Sequence, residues 1–430
     1  MRGPRPTEHT RNAAHHRMGF LALAIVFCGC EDPPPPASRD PRASPPTKTK
    51  SAVDPTPEST PSINAATGSV RQRTSTGAPG IRWSAPLHVA SVRARPAIAW
   101  MERDAFVLGW YTQTGAALIT IDATNGAGAP LYISLDPPAL IERSAAPGLA
   151  ATGRTVFLAA IDNQGRVHLC TTSVAATAAS FSMIGPSADP RFSPTVMPLN
   201  DRIAIAWTDG QSGLMRLQVG LYSMQRRTVS VRDITPPSMG GAAPTWVIGA
   251  ERPTLAFVDA REGVSPILTV ELDAQGEPGS SIVQKPVSNL ASPPALAVLR
   301  TAEHFVAGFT AVGQLATSAV GMVNFRSNDA RPVPIVAGTG YGPTHVTGTI
   351  VNGTILFAGD AHRGPESNTP REIYIRALRD GTLGTAQIVT GPEASASFGA
   401  LASSPAGTIA LAFRTNNGIA VQLGRFDPAR

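Results

Sequence analysis

Four aspartates recur at one place in this chain: Asp162, Asp209, Asp259 and Asp360 each follow an apolar run and open a polar turn, at intervals near 50 residues or a multiple of it. Carboxylates repeated in this way could converge as a ring, which is chemistry suited to calcium or to a sugar. The residues around them argue for a smaller role. The turns read Asp162-Asn-Gln-Gly165, Asp209-Gly-Gln-Ser-Gly213, Asp259-Ala-Arg-Glu-Gly263 and Asp360-Ala-His-Arg-Gly364. Aspartate hydrogen-bonds its own backbone at turns and glycine accepts positive φ, so turn chemistry accounts for the pattern. A calcium loop needs several oxygen ligands at alternating positions, and no Asp-x-Asp-x-Asp run occurs. His88, His168, His304, His345 and His362 are scattered, with no i, i+4 pair and no cysteine beside them, so no metal site is expected. Cys170 lies in the strand-like VHLCTT and reads as a buried, inert thiol. Glycoside hydrolysis requires two placed carboxylates. Glu102, Asp104, Glu262 and Glu366 sit in loops, but nothing in their spacing pairs them. Neither a Gly-x-Ser-x-Gly elbow nor a phosphate-binding loop is present, and no cofactor is expected.

The elements that must carry these residues are legible as a repeat. A short apolar strand led by proline recurs as PAIA at Pro96, PGLA at Pro147, PTVM at Pro194, PTWV at Pro244, PALA at Pro294 and PTHV at Pro343. A last copy, GALA at Gly399, has glycine in the proline position. A second apolar strand follows each: FVLGW to Trp110, VFLAA to Ala160, IAIAW to Trp207, TLAF to Phe257, FVAGF to Phe309, ILFA to Ala358 and IALAF to Phe413. Their ends are 47 to 55 residues apart. Short strands at a period near 50 predict an all-β, seven-bladed β-propeller over residues 81–430, with six or eight blades as the alternatives. The last repeat is short by one strand, and IRWSAPLHVA (81–90) has no blade of its own. Pairing the two closes the ring and removes open sheet edges. Trp100, Trp110, Trp207 and Trp246 are expected between blades.

In such a ring, the loops leading into the inner strands and the turns between second and third strands share one face. These place Arg95, Arg191, Arg261, Glu262, Tyr341, His362, Arg363 and Phe398 on the candidate ligand face. The longest excursion, His362 to Arg371, is the first choice for a functional loop.

The N-terminus predicts export. Arg2, Arg5, Arg11 and Arg17 precede an apolar run from Met18 to Phe27, followed by Cys28-Gly29-Cys30. That run is too short to span a bilayer as a mature helix and suits a signal peptide. Gly29-Cys30, followed at once by Glu31, Asp32 and four prolines, resembles a bacterial lipoprotein signal. The resemblance implies lipidation of Cys30 and a protein anchored in the cell envelope. Phe27 stands where that family prefers leucine, Cys28 is a competing acceptor, and Met18 is an alternative start. Residues 31–80 hold eleven prolines and no aromatic residue, which predicts a disordered linker.

Net charge is +6, yet residues 81–430 carry 26 basic and 24 acidic groups. No basic stripe is present to displace counterions from phosphates, so nucleic acid is not an expected partner. Residues 81–430 resemble bacterial surface propeller lipoproteins, and distantly sialidases in repeat architecture. The sialidase Ser-x-Asp-x-Gly-x-Thr-Trp hairpins and Arg-Ile-Pro signature are absent. The resemblance implies a lipid-anchored, monomeric binding or scaffolding module for protein or glycan. The alternative is a divergent propeller carbohydrate-active enzyme.

Overall fold

The computed structural model describes residues 80–427, apart from 125, 135–144, 211–214, 237–238, 260–265, 288–294, 313–317, 328–332, 336–344 and 363–368. The expected signal peptide (1–30), with Cys30, and the expected linker, save Gly80, lie outside the described residues.

Each repeat folds as one antiparallel sheet, and the seven sheets are the blades of a β-propeller. The inner strands are Ala97–Trp100, Gly148–Thr152, Thr195–Pro198, Ala242–Trp246, Leu296–Arg300, Val346–Val351 and Ser397–Ser403, in blades 1 to 7. Pro96, Pro147 and Pro194 stand just before their inner strands and Pro244 falls in the bulge of its own, places where a missing N–H does not interrupt the ladder. The fifth repeat, the least regular in sequence, makes a four-stranded blade like that of the fourth.

Blade 7 is completed by both ends of the propeller. Its third strand, Gly418–Phe426, pairs on one side with Thr408–Thr415. On the other it takes Ile81–Trp83, in the register Ile81↔Phe426 and Trp83↔Gly424, and Leu87–Ala90, in the register Leu87↔Val421. Gln422 Nε2 donates to the Ser84 carbonyl (3.1 Å) and Gln387 Nε2 to that of Ile81 (3.0 Å). Gly418 sits at φ 138°, and a Cβ there would meet the Ala90 carbonyl oxygen at 1.9 Å. The closing strand therefore passes where only glycine leaves room.

The core is divided by seam. Between blades 6 and 7, Ile373 and Ile375 pack on Leu411 and Phe413; between blades 7 and 1, Ile419 and Val421 pack on Phe106, Leu108 and Trp110. Successive side chains in a strand face opposite seams, and each sheet is covered on both faces, so the second strands read as nearly unbroken apolar runs. Trp110, Trp207 and Trp246 are buried in seams; Trp100 is half-buried at the edge of one, its indole Nε1 donating to the Arg103 carbonyl (2.8 Å). Cys170 is fully buried between blades 1 and 2, and burial pushes its thiol up to about 12. Such a thiol is inert at neutral pH.

Candidate functional site

Three of the recurring aspartates, Asp162, Asp259 and Asp360, divide into two groups. Asp162 does what its turn motif predicts. It is fully buried, and its Oδ1 accepts the N–H groups of Gln164 and Arg166 (both 2.9 Å). Its Oδ2 takes Arg166 Nε (2.7 Å) and His168 Nε2 (3.0 Å). Burial favours the neutral acid, but these hydrogen bonds prevail and hold the carboxyl below its ordinary value. Asp259 and Asp360 reach across their own blades to the loops leading into the inner strands. Asp259 Oδ1 accepts Gly240 N–H (3.1 Å) and Asp360 Oδ1 accepts His345 N–H (2.9 Å). In blade 5, Thr310 Oγ1 does the same for Ala295 N–H (2.9 Å). These two acids pin the lead-in loops, a role the turn motif does not predict.

Blade 7 breaks this rule. Its second strand ends Phe413-Arg414-Thr415, with a guanidinium and no carboxylate. Its inner strand starts with a bulge, because Ser397 pairs with Arg414 and Ala400 with Ala412, leaving two residues opposite Phe413. Bulges of this kind re-aim a side chain. Phe398, in the bulge, adopts φ 53°, a backbone conformation that costs a non-glycine residue about 1–2 kcal/mol. The conformation is held from blade 6, where Asp360 Oδ2 accepts Phe398 N–H (3.2 Å).

Cations gather on the ring so placed. The guanidinium of Arg95 from blade 1 lies 4.0 Å from the Phe398 centroid, and that of Arg414 lies 4.3 Å from it. Each is a cation–π contact. Arg414 Nε donates to Ser397 Oγ (3.2 Å), and Arg93 Nε to the Asn416 carbonyl (2.9 Å). Arg371 Nη1 meets Asp360 Oδ2 at 3.2 Å. The His345 ring sits 6.3 Å from that of Phe398. Burial, and then the Arg95 charge, push the His345 imidazole down to about 4 against the opposing pull of Asp360, so it is neutral at physiological pH. Burial also lowers the Arg414 pKa; Asp360 opposes this, while Arg371 and Arg93 add to it. Among the described residues of this cluster there are thus four guanidiniums and one carboxylate. Asp360 is already engaged by two backbone N–H groups and Arg371, so it balances only part of that charge.

Of the residues placed on the ligand face from sequence, Arg95 and Phe398 are brought into contact. Arg191 lies in blade 3, held bidentately by Asp189 (Nη2–Oδ2 2.6 Å), with its guanidinium 5.7 Å from the Phe192 ring. His362 ends the second strand of blade 6, opposite Arg371 in register, with Nδ1 donating to the Thr369 carbonyl (2.5 Å). Arg261, Glu262, Tyr341 and Arg363 lie outside the described residues, as do Glu366 and most of the His362–Arg371 excursion. Arg93, His345, Asp360, Arg371 and Arg414 were not singled out for the face. The signal that could have found Arg414 is a charge at the position that Ile161, Thr208, Val258 and Gly359 hold in the aspartate-bearing repeats, beside Thr415 where the aspartate recurs. Among the described residues, no three His, Cys, Asp or Glu side chains converge as a metal site.

No protein-family model matches the chain, and no curated protein matches it in sequence. Among solved structures it is similar to the BP39L lectin from Burkholderia pseudomallei, with 12% identity, a TM-score of 0.54, and coverage of 76% of this chain and 95% of that one. It is also similar to a puromycin hydrolase, with 12% identity and a TM-score of 0.50 over 79% of this chain, which spans 54% of the hydrolase. At this identity the likeness is one of fold, a propeller that serves both binding proteins and enzymes.

Proposed function

We propose that the protein is a binding or scaffolding propeller, tethered to a membrane of the bacterial cell envelope by lipid on Cys30, that recognises protein or glycan through the lead-in face at blades 6, 7 and 1. The observation that carries this reading is the Arg95–Phe398–Arg414 arrangement. An aromatic ring is held in a strained bulge by a neighbouring blade, and two guanidiniums are gathered on it in a blade whose second strand ends without the recurring carboxylate. Strained backbone persists only where the surroundings over-determine it, and it concentrates at ligand sites. A binding role is favoured over glycoside hydrolysis because Asp360 serves as a structural acceptor and is not paired in the cluster with a second described acid.

Two experiments test the two halves. Cys30→Ser should move the protein from the membrane to the soluble fraction; unchanged fractionation removes the tether. The purified full chain should bind glycans on an array, or a defined envelope protein, without turnover. Release of reducing sugar that disappears in Glu262→Gln or Glu366→Gln would replace the module with an enzyme.

A further inference from the structure

The cluster carries more than a location. Arg414 has Nε on Ser397 Oγ, while its two Nη atoms have no hydrogen-bond partner among the described residues. Arg93 is exposed and, among the described residues, is likewise engaged only through Nε. Both are guanidinium forks with their outer donors open, one half-buried and one at the rim. Arg95 adds a third positive charge over the same ring. A guanidinium fork matches a planar carboxylate in bidentate geometry, and a partly desolvated fork does so most strongly.

Resting on the binding reading above, we propose that Arg93, Arg95 and Arg414 form a subsite for the carboxylate of an acidic glycan, one sugar-acid unit seated at blades 7 and 1. Charge distribution favours a sugar over an acidic peptide. Strings of side-chain carboxylates call for a string of cations, whereas residues 81–430 are nearly balanced, with 26 basic and 24 acidic groups. A sugar acid presents one carboxylate among hydroxyls. Neutral hydrogen-bonding groups flank the cluster: Ser397, and the Thr415–Asn416–Asn417 turn whose Asn416 carbonyl holds Arg93. The Phe398 ring is covered by guanidiniums and only 8% exposed, so it serves as a platform for the cations and not as a stacking face for the sugar.

The test uses the full chain in detergent, titrated with oligogalacturonate, oligoglucuronate and sialyl-lactose, each beside its methyl ester, and with polyglutamate. The ester keeps the sugar and removes only the charge. At least one acid should bind at least tenfold more tightly than its ester. Arg414→Gln should lose tenfold or more, Arg414→Lys should recover only part of that, and Arg93→Gln should lose severalfold with an unchanged melting temperature. Arg93 is exposed, so its variant keeps the test valid if Arg414→Gln is poorly folded. Equal binding of acid and ester overturns the subsite and leaves the glycan-binding module standing. So does acid-selective binding that survives both variants, which puts the site elsewhere. Tighter binding of polyglutamate makes an acidic peptide the occupant and overturns it too. No binding of any glycan or protein removes the binding reading itself, and the subsite with it.

Discussion

The inner strands of blades 4 and 7 begin with the same bulge, filled differently. In blade 4, Ala242 pairs with Val258 and Thr245 with Ala256; in blade 7, Ser397 pairs with Arg414 and Ala400 with Ala412. The residue after the first pair has φ 52° at Ala243 and φ 53° at Phe398. Blade 4 is complete within itself: a small residue occupies the bulge, and Asp259 of its own second strand pins the lead-in loop. Blade 7 puts a phenylalanine in the bulge and an arginine near the end of its second strand. It takes its carboxylate from blade 6 and its outer strands from the opposite end of the propeller. The scaffold thus accommodates the bulge in more than one blade, and what distinguishes blade 7 is that its parts come from three places. Side chains from blades 6, 7 and 1 can then converge without altering the sheet.

The largest expected effect follows from that composite build. Deleting Ile81–Ala90 exposes the edge of Gly418–Phe426 and removes Ile81 and Val89 from the seams on either side of blade 7. With Trp83 and Leu87 also lost, the apolar term alone is about 5 kcal/mol or more. Cooperative thermal unfolding should broaden or vanish, while deletion of residues 35–75 should leave it unchanged. Equal melting curves for the two deletions would mean that blade 7 is as self-sufficient as blade 4.

Next come the two carboxylates. Asparagine retains an acceptor oxygen, so Asp259→Asn can keep the Gly240 bond and should cost about 1 kcal/mol. Asp360→Asn removes the charge that faces Arg371 and Arg414, and breaking a buried ion pair costs about 3–5 kcal/mol. Urea midpoints of the two variants give the comparison directly. If Asp360→Asn is no worse than Asp259→Asn, the cation cluster is not held in balance by Asp360.

The regular parts of this architecture were readable from residues alone, because each obeys a local rule. Proline-led inner strands, apolar second strands and Asp/Gly turns repeat at one period, and the spare strand at 81–90 answered the short last copy. The site was readable only in part. Arg95 and Phe398 follow from their places in lead-in loops, but Asp360 looked identical to Asp162 and acts differently. Which oxygen meets which N–H depends on register and on the neighbouring blade, and neither leaves a mark in the flanking residues. The departures from the repeat, Gly399 for proline and Thr415 where an aspartate recurs, are visible in the sequence, yet neither residue by itself points to a ligand. In a repeat protein such exceptions carry more information about the site than the consensus does.

Acid should weaken the blade 7 side selectively. The His345 pKa is lowered to about 4, by burial first and then by Arg95. The unfolded chain takes up this proton near pH 6.5 and the folded chain only near pH 4. The histidine's contribution is therefore fully present above pH 6.5 and is lost as the pH falls from 6.5 to 4. Asp162, whose pKa is lowered, keeps its contribution through that window and loses it below the ordinary aspartate value. Unfolding midpoints at pH 7, 5.5 and 4.5 should fall for the wild type and fall less for His345→Asn. Parallel slopes would show that His345 titrates normally, and hence that the cluster does not enclose it.

The smallest effect isolates what the bulge itself costs. At Ala243 the side chain contributes little and the positive φ is pure strain, so glycine should relieve it. A left-handed non-glycine residue costs about 1–2 kcal/mol, and the added freedom of glycine in the unfolded chain returns about 0.4–1 of that. Ala243→Gly should therefore stabilise by roughly 0.5–1 kcal/mol. Phe398→Gly relieves the same backbone but also deletes a buried ring and two cation–π contacts, so it should destabilise, by about 2–3 kcal/mol. Opposite signs at two positions of matching φ would show that blade 7 retains its strain because the ring must be there. If both substitutions stabilise, Phe398 contributes nothing that outweighs its backbone, and the guanidiniums are held in place by something other than the ring.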